Sequence, residues 1–212
     1  MSNFKMGAKQ DFFRLIILHI SKCCEAMRDD CRRKTKNPLP NHEDKISNRL
    51  VARYLNVGVK GIRFDRESLE GFDDDTDTFI GKTDIRVGLS DYLNGNDKAY
   101  YTIEAKRLDG TQNLNNKYVS DGISRFVAPP SPKYSSYYGK SIMLGYVVRD
   151  IDVSRNTEEI DKLQHKLLVG TMVGSMSLIC DDGKGFSHYQ CSYQNLNIEL
   201  THLFYNFSDV IA

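Results

Sequence analysis

The stretch YYTIEAKRL, residues 100–108, decides how this chain reads. Its aromatic and β-branched residues predict a strand. Yet Glu104 and Lys106 sit in its middle, two positions apart. Strand side chains alternate between faces, so one face carries Tyr100, Thr102, Glu104 and Lys106. The other carries Tyr101, Ile103 and Ala105. Upstream, TDIRVGL (83–89) repeats the pattern, with Asp84 and Arg86 on one face and Ile85, Val87 and Leu89 on the other. A loop containing Asn94-Gly95 predicts that the two strands form a hairpin. Pairing them brings Asp84 and Glu104 to one spot, with Lys106 one pleat away. The competing reading of this strand alone is a solvated sheet face bearing a Glu–Lys pair.

The whole chain frames that hairpin. With 212 residues, 40% hydrophobic and 27% charged, it has the composition of one globular domain with a proper core. We divide it into an N-terminal helical segment (1–36), a motif-bearing core (41–150), and a C-terminal helix and strands (151–212). The formal net charge is +1, so any nucleic acid must be met by a locally basic surface rather than by a global field. FFRLIILHI (12–20) carries Arg14 and His19 and is too short to span a bilayer; it reads as a buried helix face, and no membrane association is expected. The cysteine count is five, with no CxxC, which predicts reduced thiols and a cytoplasmic location. Cys24 and Cys31, seven apart on one helix face, read as packed thiols.

Residues 8–34 predict a helix with a basic C-terminal end, Arg32, Arg33, Lys34 and Lys36. NPLPN breaks it, and HEDKISNRLVARYLN (42–56) predicts a second helix with Asn41 as N-cap. A mixed stretch then leads to the acidic run EGFDDDTD and the hairpin. NKYVSDGISRFV (116–127) has helical spacing at Val119, Ile123 and Phe126, weakened by Gly122. APPSPKYSSYYG (128–139) reads as a tyrosine-rich loop edging a site, and SIMLGYVV (141–148) as a buried strand. A further helix is expected over 156–174, with Ile160, Leu163 and Leu167 on one stripe and GTMVG as a close helix contact. SMSLIC and NIELTHLFYNF read as later strands. The order predicts an α/β fold, a mixed sheet flanked by helices.

A third acid belongs with the hairpin. At the helical period, Glu43 falls on the arc of Ile46, Leu50, Tyr54 and Val57, where a carboxylate is costly unless paired or bound to a cation. Its other reading is an acid favouring the dipole at the helix start. Three acids and a lysine make a hard-cation site, because Mg²⁺ takes oxygen ligands and keeps several waters. Such an ion polarises a phosphoryl oxygen, and the lysine can orient or deprotonate the attacking water. The set points to phosphodiester hydrolysis.

Asp84 in GKTDIRV, followed 20 positions on by Glu104-Ala105-Lys106 in YTIEAKRL, resembles the core of the PD-(D/E)XK, or restriction-endonuclease-like, nuclease superfamily. The resemblance spans roughly residues 43–148, and it departs at the proline of the name, where Thr83 precedes Asp84. It implies a restriction-endonuclease-like fold in which Asp84, Glu104 and the Ala105 carbonyl ligate Mg²⁺ (with Mn²⁺ able to substitute), and Glu43 is an outer or second-metal ligand. Lys106 would serve the water, and the products would be a 5′-phosphate and a 3′-hydroxyl. The helix after the motif strand is similar to YVSDGISRFV, whose Arg125 would bind a substrate phosphate; a surface pair with Asp121 is the alternative. The implied function is a DNA endonuclease of a bacterial or phage defence or restriction system, with a homodimer, a partner ATPase or a sensor protein as partners. An RNase of the same fold, or a nucleic-acid-binding scaffold that does not cut, are the alternatives.

Other signals fail. DDDTD imitates the start of a calcium loop, but its sixth position is Thr78 rather than Gly, and it reads as a solvated turn. There is no P-loop and no GxSxG. His188 and His202 are weak acid–base candidates in late strands.

Overall fold

A computed structural model describes residues 2–90, 95–96, 99–128, 132–134 and 137–212, with the side chains of 2–11, 71–73 and 137 left aside. Asn94 of the predicted hairpin loop and parts of the 128–139 loop lie outside the described residues.

The chain builds one seven-stranded mixed sheet in the order β1-β2-β3-β4-β7-β6-β5. The strands are β1 (Ile62–Asp73), β2 (Thr78–Leu89), β3 (Tyr100–Leu108), β4 (Lys140–Val147), β5 (Ser177–Asp181), β6 (Phe186–Tyr193) and β7 (Ile198–Asn206). β1, β2 and β3 pair antiparallel, whereas β3–β4 and β4–β7 are parallel. Parallel neighbours need a crossover. Between β3 and β4 it is α3 (Gln112–Tyr118), which passes through a π turn at Val119–Ile123 into a last helical turn at Ser124–Val127. Between β4 and β7 the crossover contains α4 (Val153–Leu167) and the β5–β6 hairpin.

Alternation along β4 explains the layers. Ile142, Leu144 and Tyr146 join one core with α1 (Ser2–Arg32) and α2 (Glu43–Leu50). Met143 and Val147 join the other, with Tyr118, Ile123 and Phe126 from the α3 segment and Ile160 from α4. β4 is therefore apolar on both faces, as a strand covered on both sides must be. β3 obeys the same rule in part: Tyr101, Ile103 and Ala105 pack in the α1/α2 core. Its other face carries Glu104 and Lys106, and both are buried. The solvated-face reading of this strand is thus overturned; the charged face lies under the α3 segment.

Several boundaries differ from the sequence expectation. The N-cap of α2 is His42, without a side-chain capping bond, while Asn41 receives the Arg107 guanidinium instead. α2 ends at Leu50 and gives way to a π turn at Val51–Leu55, which leaves Val57 exposed. α4 starts earlier than expected, where Asp152 accepts from the Arg155 N–H at 3.0 Å, and stops at Leu167, which is 42% exposed. GTMVG is consequently not a helix contact. Gly170 turns the chain with φ 84°, and the Gly174 N–H donates to the Ser192 carbonyl at 2.8 Å. A Cβ at 174 would lie 3.0 Å from that oxygen, so the close approach favours glycine.

β1 is the strand the sequence hid, and β6 is marked only by the placing of His188 in a late strand. In β1 charged residues break the apolar alternation, and in β6 the period-two signal rests on Tyr189, Cys191 and Tyr193 rather than on aliphatics. DDDTD forms the turn between β1 and β2. Cys23, Cys24, Cys31 and Cys191 are buried free thiols, and Cys180 is exposed. Among the described residues, no helix is long and apolar enough to cross a membrane.

Candidate active site

The site grows from an interrupted strand edge. The β2–β3 register runs from Gly88↔Tyr100 to Ile85↔Ile103 and stops, while β3 continues beside β4 as far as Leu108↔Val147. Beyond Ile103 one edge of β3 has no strand partner, and its backbone donors must be satisfied otherwise. The Ala105 N–H donates to Asp84 Oδ2 at 2.8 Å, and the Arg107 N–H to Glu43 Oε2 at 3.1 Å. Two carboxylates thus take the place of a missing strand, with charge-assisted hydrogen bonds. β1 shows why β2 leaves: the Glu67–Asp84 position drops out of the ladder, Glu67 adopts φ 52°, and Arg66 Nη1 donates to the Asp84 carbonyl at 2.6 Å.

Lys106 gathers the acids. Its Nζ lies 2.6 Å from Glu104 Oε1, 3.1 Å from Glu43 Oε1 and 3.8 Å from Asp84 Oδ2, and it donates to the Ala105 carbonyl at 2.8 Å. Lys106 can approach because the π turn passes closely over it. A Cβ on Gly122 would meet Met143 Cε at 2.6 Å and Lys106 Cγ at 3.4 Å, so a side chain there would have to displace the end of Met143. π turns within helices recur at functional sites.

Glu104 is fully buried, at 0% exposure, and both its oxygens are engaged. Arg125 Nη1 stands 3.1 Å from Oε1, and the Tyr134 hydroxyl donates to Oε2 at 2.9 Å. Arg125 also donates to the Tyr134 hydroxyl oxygen, and the two rings Phe126 and Tyr134 meet edge to face at 5.2 Å. Gly81 lets this loop segment lie down, because a Cβ there would come within 3.0 Å of the Lys133 carbonyl and the Tyr134 ring.

Three carboxylates against two cations, Lys106 and Arg125, leave an excess of negative charge. Burial pushes Glu104 up to about 7, and the Asp84 charge pushes the same way, against Lys106 and Arg125. Burial works against the Lys106 ammonium, but Glu104, Glu43 and Asp84 outweigh it and raise its pKa. Burial is the largest influence on both groups, and the three acids around Lys106 set the direction in which its pKa moves.

Every residue singled out on the hairpin and on α2 therefore converges. Asp84, Glu104 and Glu43 come from β2, β3 and the first turn of α2, and the Ala105 carbonyl faces the same point. Arg125 pairs with Glu104 and not with Asp121, whose carboxylate accepts instead from Ser120 Oγ at 3.1 Å. The two histidines do not join. His202 is buried two strands from Glu104, on the order of 10 Å by strand spacing, and bonds through Nδ1 to the Tyr118 hydroxyl at 3.0 Å. Burial, with a smaller push from His188, holds it down at about 3, so it stays neutral. His188 lies one strand further out, opposite Leu203, and burial lowers its pKa also.

Sequence reasoning missed Tyr134 and Arg107. The tyrosine-rich loop was a signal for the first, but nothing in its spacing says which tyrosine turns inward. Arg107, adjacent to the motif lysine, donates through Nη1 to the Asn41 carbonyl at 2.8 Å and to its side-chain oxygen at 2.6 Å. A cleft of about 320 Å³ opens beside Lys106, with His42, Arg107, Lys117 and Arg125 among its walls.

The donor set suits a hard divalent cation: three carboxylates and a carbonyl, all oxygen, with negative charge in excess. Among the described residues no group of three Asp, Glu, His or Cys side chains forms a ready metal cage. The three carboxylates instead share the Lys106 ammonium, which lies within 4 Å of each. Compared with known proteins, the sequence matches no family model, and no curated protein and no solved structure matches it.

Proposed function

We propose that the chain is a Mg²⁺-dependent nuclease that hydrolyses phosphodiester bonds in DNA, with the restriction-endonuclease-like arrangement suggested by its motif. One observation carries the reading: acids from three separate segments lie within 4 Å of a single lysine ammonium. Asp84, Glu104 and the Ala105 carbonyl would hold the ion, and Glu43 would serve as an outer ligand. The ion supplies Lewis-acid polarisation of a phosphoryl oxygen and makes water more acidic; Mn²⁺ can replace it.

The protein's own groups do the rest. Lys106, kept charged by its neighbours, orients the attacking water and offsets charge that develops on the phosphate. Its raised pKa favours this role over that of a general base. Arg125, 33% exposed at the cleft, presents a planar fork of donors to a phosphate once Glu104 turns to the ion. Until then Tyr134 and Arg125 hold the Glu104 carboxylate in place. Free cysteines support a cytoplasmic setting, and defence or restriction, with a homodimer or a partner ATPase, is the biology we infer.

The test is incubation of purified protein with supercoiled DNA, linear DNA and RNA, with and without Mg²⁺. Metal-dependent cutting that disappears in Glu104→Ala and Lys106→Ala, with circular dichroism unchanged, is expected. Cutting that both variants retain overturns the assignment, and preferential loss of RNA moves it to an RNase.

A further inference from the structure

Within the cleft beside Lys106, the cations differ in how far their charge is already used. Lys106 and Arg125 are matched to Glu43 and Glu104. Arg107 and Lys117 are not: among the described residues neither side-chain charge forms an ion pair, and Glu43 reaches Arg107 only at its backbone N–H, at 3.1 Å. Arg107 is half-buried and pinned by two bonds to Asn41, and its buried Nε–H has no partner. Lys117 is exposed on α3. Two acids line the same cleft: Glu43, which is already engaged by Lys106, and Asp121, four residues on from Lys117.

We propose that this cleft is a second phosphate subsite, which seats the backbone phosphate adjoining the one that is cut. The proposal rests on the nuclease reading for the identity of the neighbouring phosphate. Four observations carry it. The cleft is concave and about 320 Å³, large enough to surround a phosphate group rather than merely touch it. Its walls gather four cations, Lys106, Arg107, Lys117 and Arg125, against two acids, Glu43 and Asp121, which leaves the cleft net positive. The Arg107 guanidinium is already ordered by Asn41, so little side-chain freedom is lost when it donates to a phosphate. Half-buried Leu114 adds an apolar wall for a sugar face. Because Lys106 and Arg125 share the cleft, a phosphate bound there is contiguous with the reacting one.

The measurement is fluorescence anisotropy of a labelled short DNA duplex with the full chain, in chelator to prevent cutting, across a series of salt concentrations. Lys117→Glu should weaken binding roughly tenfold and lower the salt slope by about one. Asp121→Asn should tighten binding about two- to fivefold, the opposite sign that only a charge effect gives. Under cleavage conditions, Lys117→Glu should raise KM more than it lowers kcat. Both variants sit on exposed α3-segment positions, so folding is preserved. Unchanged affinity and salt slope in Lys117→Glu overturn the subsite, even if the wild type cuts DNA. Opposite shifts in the two variants without any cutting by the wild type leave the subsite standing as a nucleic-acid contact and remove the nuclease reading.

Discussion

The β1–β3 hairpin region holds two buried charge clusters, and they are built on different principles. At its far end Glu70, fully buried, receives Arg86 Nη2 at 2.8 Å and the Tyr100 hydroxyl at 2.8 Å. Arg86 also donates to the Leu69 carbonyl and lies over the Tyr100 ring, 4.5 Å from its centroid. Among the described residues, one carboxylate here meets one guanidinium. At the near end three carboxylates, Glu104, Asp84 and Glu43, crowd Lys106 and Arg125. It also opens on a cleft. The far pair ties strands together, whereas the near cluster is the one the proposed function assigns to a cation. On the proposed nuclease reading, burial of charge alone does not separate the two clusters, whereas the excess of carboxylates beside a cleft does.

The comparison can be broken most sharply through activity. Lys106→Met should abolish metal-dependent DNA cutting by at least about a hundredfold, while Arg86→Met should leave the rate per folded molecule near that of the wild type. Supercoiled-plasmid nicking distinguishes them, and equal losses would erase the difference between the clusters. Stability should show the reverse order. Arg86→Met strands Glu70 in the interior and should cost about 3–5 kcal/mol in a denaturant titration, the usual penalty for breaking a buried pair from one side. A loss under about 1 kcal/mol would mean that the far cluster is not structural.

Glu104→Gln sharpens the point through pH. The folded Glu104 pKa of about 7 lies above its unfolded value near 4.3, so the folded state holds the proton more tightly. The associated stability is complete below about pH 4.3 and is lost as pH rises through about 7. At pH 8 the glutamine variant should therefore be more stable than the wild type, by about 2–3 kcal/mol, and this advantage should fade toward pH 4.5. Mg²⁺ added at pH 8 should raise the wild-type melting temperature and leave that of the variant nearly unchanged. A variant no more stable at pH 8 would show that the excess charge carries no strain. The smallest effect concerns Glu67, held at φ 52° opposite Asp84. Glu67→Gly should stabilise by about 0.5–1 kcal/mol, because relief of left-handed strain exceeds the added chain entropy and the loss of the exposed Lys82 pair. A destabilised variant would place the origin of the β2 divergence elsewhere.

Legibility followed periodicity. The alternation of Tyr101, Ile103 and Ala105 against Glu104 and Lys106 was visible because a strand forces it, and β4 stood out as an apolar run. β1 was not visible, since Arg63, Asp65, Arg66 and Glu67 suit an edge strand and carry no strand pattern. The end of α4 was not visible either: Leu167 keeps the helical spacing, but Gly170 and the Val173–Tyr193 bridge prevail over it. In the site, Asp84, Glu104, Lys106 and Glu43 followed from residue type and face. Tyr134 did not, because it arrives from a loop whose path depends on the space above Gly81.

By itself the sequence determined which side chains share a strand face, and hence that Glu104 and Lys106 stand together with Asp84 opposite them. That information is local, since a pleat has period two whatever surrounds it. Only the tertiary structure decided that this face is buried, that β2 departs at Asp84, and that carboxylates take over the vacated edge of β3. Those outcomes depend on which donors lose their partners when two strands diverge, and on how much charge the interior then has to balance.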